Sequence, residues 1–196
     1  RVSTFDAMAS RVALMYALLG TFLSGHAQEK GSVLIKHGTV LTITNGEMEN
    51  TDVLIERGII TEIGQGLVAP DGVETVDASG KYVMPGIIDA HSHIAGVHIN
   101  EWTHPVTAEV TMEESVNPND INIYWALAGG VTTINLMHGS ANVIGGRNET
   151  LKLRYGAGLE ELPFDGAPQT IKVPLGANPT RVLGQGFGVQ PRTRMG

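Results

Sequence analysis

The stretch Val83-Met84-Pro85-Gly86-Ile87-Ile88-Asp89-Ala90-His91-Ser92-His93 decides how the rest of the chain is read. Pro85-Gly86 signals a turn, and the short apolar run after it reads as a strand ending in two histidines one residue apart. Side chains alternate faces along a strand, so His91 and His93 project together while Ser92 points away. Two imidazoles side by side can each offer one ring nitrogen to a single metal ion.

Upstream of this strand, residues 32 to 83 are rich in short β-branched runs. Val33-Leu34-Ile35-Lys36, Thr39-Val40-Leu41-Thr42-Ile43, Asp52-Val53-Leu54-Ile55 and Ile59-Ile60-Thr61-Glu62-Ile63 are separated by His37-Gly38, Asn45-Gly46 and Arg57-Gly58. Strands punctuated by such pairs predict a small antiparallel sandwich or barrel over residues 28–84. Nothing in that block looks catalytic, so it reads as support. Earlier still, Arg11 precedes the apolar run Val12 to Leu23, with small residues at Gly25 and Ala27. That order predicts a secretory signal peptide over residues 1–27, and with it a secreted or periplasmic location. The run is too short for a membrane span, which needs about 20 residues. Met8 sits where a start would be expected, so residues 1–7 read as upstream read-through.

Downstream, residues 94 to 118 are loop-like and carry His98, Trp102 and His104. Asn119 or Asp120 can then cap a helix from Ile121 to Ala128, which Gly129-Gly130 would stop. Val131 to Leu136 follows as a second strand. Strand, crossover helix and strand make the parallel unit of α/β folds. The loop from Met137 to Gly146 lies at the carboxyl end of its strand, the side where α/β barrels place their sites, and His138 there is equally a candidate for substrate contact and for a simple loop hydrogen bond. Ile171 to Gly176 is a third strand candidate, with Ile171, Val173 and Leu175 on one face and Lys172 on the other.

Composition narrows the chemistry. A net charge of −7 provides no basic surface for nucleic acid. The absence of cysteine excludes disulfides and thiolate metal sites, leaving His, carboxylate and Lys-derived ligands. Hydrophobic content of 42% against 17% charged is that of a globular chain.

The segment Pro85 to His93, placed directly after a small β-domain, resembles the first-strand metal motif of the amidohydrolase superfamily. Ala128-Gly129-Gly130-Val131-Thr132-Thr133, His138-Gly139-Ser140-Ala141-Asn142 and Lys172-Val173-Pro174-Leu175-Gly176-Ala177-Asn178-Pro179 resemble secreted imidazolonepropionase-like members. The resemblance runs from about Val33 to Gly196. It implies an α/β fold, the N-terminal part of a metal-dependent (β/α)8 TIM barrel (residues 85–196) preceded by the β-sandwich. It implies one or two divalent metal ions, usually zinc, and a metal-activated water attacking the amide or cyclic amide C–N bond of a small molecule or dipeptide. His91 and His93 would be the first two metal ligands, Asp89 a positioning residue near them, and Lys172 the candidate for the carboxylated lysine that bridges two metals in many members. Related sequences often carry Glu where this chain has Ala177. A barrel takes around 250 residues, and further ligands and the proton-shuttling Asp come from later strands, so the chain reads as part of a longer enzyme and inactive by itself. A homo-oligomer is compatible with all of this.

Plainer readings stand beside these. A bare His-x-His recurs by chance, Lys172 could be a packing lysine, and His98 and His104 read better as polar loop residues than as ligands. Two rival functions are a scaffold that kept the fold and lost the metal, and a secreted β-rich binding module.

Overall fold

The computed structural model describes residues 31–193 and Met195. The expected signal peptide lies outside these described residues. The chain divides into two compact units after Val83, and its elements are a mixture of strands and helices.

The first unit is one five-stranded sheet. Strand β1 (Val33–Leu41) lies inside it, antiparallel to β2 (Glu47–Glu56), which pairs in turn with β3 (Ile59–Gly64). On its other edge β1 runs parallel to β4 (Glu74–Asp77) and then to β5 (Tyr82–Val83). The sheet is therefore mixed, where the turn signals predicted antiparallel pairing throughout. After β3 the chain crosses back to the far edge of β1 instead of turning tightly beside it. The β2–β3 hairpin does follow its sequence signal: Arg57 and Gly58 have φ of 50° and 77°, the positive values a two-residue hairpin loop requires.

His37-Gly38 behaves differently. The pair does not separate two strands but interrupts the pairing inside one, with register shifts on both sides of Gly38. His37 has φ of 60°, and its N–H leaves the ladder to donate to Asp52 Oδ1 at 2.8 Å. The turn signal thus marks a bulge. A Cβ at Gly38 would lie 2.7 Å from Val83 Cγ2, so β5 can approach only because position 38 has no side chain. Leu34, Val40, Val53, Leu54 and Ala78 are the buried apolar residues of this unit.

The second unit is built on β6 (Ile87–Ser92), α1 (Ile121–Ala128) and β7 (Val131–Leu136). β6 and β7 are parallel, with Asp89 opposite Ile134 and Ser92 opposite Leu136, and α1 is the crossover between them. The Asp120 side chain caps α1 by accepting the Asn122 N–H at 3.0 Å, and Gly130 leaves the helix with φ of 87°. A third strand, β8 (Glu149–Lys152), pairs antiparallel with β7. Ala95, Met112, Ile123, Ile134, Leu136, Leu151, Leu153 and Leu162 form the core. Each fully buried Leu or Ile there contributes about 1.5–3 kcal/mol relative to exposure.

The strand expected over Ile171 to Gly176 is not one. Only Ile171 forms a bridge, to Arg147, while Gly145 N–H donates to the Lys172 carbonyl at 2.8 Å. The side chains do alternate, but with the exposure inverted: Lys172 is 8% exposed, while Ile171, Val173 and Leu175 are 40%, 48% and 77% exposed. Among the described residues no helix is long and apolar enough to cross a membrane.

Candidate functional site

The site grows from the end of β6. Gly86 starts the strand against Thr132, and any Cβ at position 86 would overlap the threonine side chain. That close approach gives the Pro-Gly pair a packing reason. At the other end Ser92 is buried, while His91 and His93 are exposed on the opposite side of the backbone. Their ring centroids are 5.3 Å apart, edge to face at 84°.

Backbone of the neighbouring strand orients the second ring. Met137 N–H donates to the Ser92 carbonyl at 2.9 Å, and the Met137 carbonyl lies 2.9 Å from His93 Nδ1. A carbonyl only accepts, so Nδ1 carries the hydrogen and the Nε2 lone pair of His93 is left for a cation. His91 Nε2 lies 3.0 Å from Lys172 Nζ, a contact across 81 residues of sequence. Burial pushes the Lys172 pKa below its ordinary value. Asp89 acts on the strand rather than on a ring: its Oδ1 accepts the His91 backbone N–H at 3.1 Å.

Of the two roles open to His138, the structure commits both ring nitrogens to loop hydrogen bonds and leaves none for a substrate. His138 is 1% exposed, with Nδ1 2.8 Å from the Gly139 carbonyl and Nε2 accepting the Glu101 N–H at 2.9 Å. Gly145 and Gly146 crowd its ring, and a Cβ at Gly145 would stand 2.7 Å from Nδ1. The imidazole braces the loop after β7 instead. Asn142, fully buried, completes the brace by donating to the Glu101 and His104 carbonyls at 2.7 and 2.8 Å. Asn148 accepts the His138 N–H at 3.2 Å. Asn148 carried no signal in the sequence, because its partners lie in other segments. His98 is exposed, and His104 enters the brace only through its carbonyl.

Beside His93 lies a cavity of about 250 Å3, reached by Asn100, Trp102, Ser140 and Asn178. Among the described residues no three His, Asp or Glu side chains converge as a metal site. What converges is the pair His91 and His93 with Lys172.

The model of the amidohydrolase family matches residues 74–139, the segment that holds both histidines, α1 and β7. A dihydroorotase from Trichlorobacter lovleyi is 49% identical over 63 residues, 32% of this chain and 15% of the relative. A dihydropyrimidinase from Dictyostelium discoideum is 37% identical over 106 residues, 54% of this chain and 18% of the relative. The crystal structure of an amidohydrolase from Thermotoga maritima MSB8 superposes with a TM-score of 0.74 at 39% identity, covering 84% of this chain and 44% of that one. The chain belongs to the amidohydrolase superfamily. It spans under a fifth of the two curated relatives and under half of the solved one.

Within that superfamily a divalent metal is the group to test against these residues. Imidazole nitrogens are ordinary zinc ligands: His93 has Nδ1 on the Met137 carbonyl and Nε2 left over, while His91 Nε2 faces Lys172 Nζ. Lys172 suits zinc only without its positive charge, and the burial that lowers its pKa favours the uncharged amine. The donor set present therefore fits a divalent cation in part, with two nitrogens and one lysine.

Proposed function

We propose that the whole protein hydrolyses a cyclic amide at a divalent metal site, zinc being the usual ion, on the His91–His93 end of β6. The observation that carries this is the convergence of His91, His93 and the buried Lys172, with His93 oriented through the Met137 carbonyl. The relatives' names, dihydroorotase and dihydropyrimidinase, support a ring amide as the substrate class. In the same reading, β6–α1–β7 is the first strand–helix–strand unit of a (β/α)8 barrel, and the five-stranded sheet is one layer of a β-sandwich. Export, read from residues 1–27, completes the proposal.

The bound cation would acidify a water and polarise the scissile carbonyl. His91 and His93 would hold it through Nε2. Asp89 fixes the backbone that carries His91, and Met137 fixes the ring of His93. In its uncharged form, which burial favours, the Lys172 amine would add carbon dioxide and release a proton, and the resulting carbamate would be a further oxygen ligand beside His91. The net reaction adds one water across the ring C–N bond: the carbonyl carbon gains OH and the nitrogen gains H.

The double variant His91→Ala/His93→Ala tests the assignment. Elemental analysis of the purified protein should find its zinc lost, with the circular dichroism of the wild type retained. Unchanged metal stoichiometry would sink the site.

A further inference from the structure

The wall of the cavity beside His93 contains a carboxamide without a hydrogen-bond partner among the described residues. In this region the Nδ2 groups of Asn142, Asn148 and Asn178 all donate, to the His104 carbonyl, Thr170 Oγ1 and Ser140 Oγ, and Asn142 Oδ1 is buried without a partner among the described residues. No hydrogen bond among the described residues goes to the Asn100 side chain. Asn100 is half-buried and lines the cavity together with His93 and Trp102. Its amide is seated directly on Gly139, where any Cβ would overlap Oδ1, Cγ and Nδ2. The Gly139 N–H is itself tied to the Ile99 carbonyl at 2.6 Å, and His138 beside it is braced by Glu101. So an amide whose donor and acceptor are both unpaired among the described residues is held against a fixed loop beside the metal-ligand candidate.

Such a group pairs best with its own kind. A primary carboxamide presents a carbonyl and an N–H on the same side, and the complementary edge is another amide in the cis arrangement. Linear peptides are almost always trans, with N–H and C=O on opposite sides. A five- or six-membered ring enforces cis. We propose that Asn100 reads the cis-amide edge of the substrate ring, Oδ1 accepting the ring N–H and Nδ2 donating to the adjoining carbonyl. Trp102, whose ring centroid is 6.3 Å from that of Phe187, supplies an apolar wall for the planar ring. Asn100 is then a specificity-determining residue that admits cyclic amides and passes over linear ones. This rests on the cyclic-amide reading above and adds the residue that selects the ring.

The test uses the full-length protein and two probes, 5,6-dihydrouracil and its 1,3-dimethyl analogue, which has no ring N–H. Binding to the metal-free protein is followed by Trp102 fluorescence in a Trp125→Phe background, and the ratio of kcat/KM for the two probes is measured with zinc. Loss of the ring N–H, with a methyl group pushing the adjoining carbonyl away from Nδ2, predicts that the unsubstituted ring is preferred by about tenfold to a hundredfold. Asn100→Ala should bring both ratios close to one. Gly139→Ala, which keeps the amide but displaces it, should do the same. Comparing ratios between proteins cancels the intrinsic effect of the methyl groups on reactivity. If the wild type hydrolyses the ring and Asn100→Ala keeps the wild-type ratios, the role of Asn100 is overturned and the function stands. If the wild type neither binds nor hydrolyses either ring, the cyclic-amide reading fails and takes this inference with it.

Discussion

Asp52 in the first unit and Asp120 in the second do one job in two settings. Each carboxylate accepts two backbone N–H groups and so ties separate segments together. Asp52 takes His37 at 2.8 Å and Leu67 at 2.9 Å, with Lys36 Nζ at 3.9 Å. Asp120 takes Asn122 at 3.0 Å and Ala95 at 2.7 Å. The first is 1% exposed and holds a strand bulge against a loop. The second is half-buried and joins the start of α1 to the chain just beyond His93. For Asp52, burial pushes the pKa up, but the two N–H groups and Lys36 outweigh it and the net shift is downward. For Asp120, burial again opposes ionisation, and the N–H groups of Asn122 and Ala95 with the Asn122 amide bring the pKa down. A buried carboxylate is tolerable in both places for one reason: backbone dipoles replace the water it lost.

The deeper of the two should matter more. Asp52→Ala leaves the His37 and Leu67 N–H groups without an acceptor and Lys36 without its partner. A cost of roughly 1–3 kcal/mol is expected. Urea denaturation should show the lower midpoint, and amide exchange should speed up in β1 and β2 while α1 keeps its protection. Equal loss of protection in both units would mean that Asp52 does not act within its own sheet.

The same pair shows what a sequence discloses. Asp120 stands directly before an apolar run, so its cap was legible, as were the limits of α1 and β7, which depend on neighbours a few residues away. Asp52 sits inside a β-branched run and gave no sign of a buried anchor, because its partners lie 15 residues off on either side. His37-Gly38 looked like a turn, since positive φ serves a bulge as well as a hairpin. That His91 and His93 share the face opposite Ser92 was legible from strand alternation. Lys172 could be named only by resemblance. Its contact with His91 depends on an extended segment that turns its lysine inward and its Ile, Val and Leu outward, against the usual hydrophobic order. The brace of His138, Asn142 and Asn148 was hidden for the same reason as Asp52. Asn and His say nothing about their partners until the loops are folded.

A smaller effect is expected at Asp120. Asp120→Ala removes a helix cap, worth about 1 kcal/mol. It also frees the Ala95 N–H, two residues past His93. The stability loss should therefore come with a change near the site: the Ala95 amide should exchange faster, and the His93 ring resonances should broaden or shift. Asp120→Asn keeps an acceptor for one N–H and should fall between. An Ala95 amide as protected as in the wild type would confine Asp120 to capping.

The smallest expected effect concerns acid. Both carboxylates have folded pKa values below their unfolded ones, near 3.9 for Asp. Above that value both are ionised in either state, and their stabilisation is fully present. As pH falls below it the unfolded chain takes up protons first, and the stabilisation fades through the folded pKa. Stability should thus decline as pH drops below about 4. Asp52→Asn removes one of the two titrations, so its urea midpoint should start lower at pH 6 and fall less between pH 6 and pH 3 than that of the wild type. Asp120→Asn should flatten the same limb in α1 and leave the sheet's limb unchanged, when each is followed by its own amides. Parallel acid limbs in wild type and both variants would place the acid response in other carboxylates, Asp77 among them, whose hydrogen bonds from Ser79 and His37 also lower its pKa.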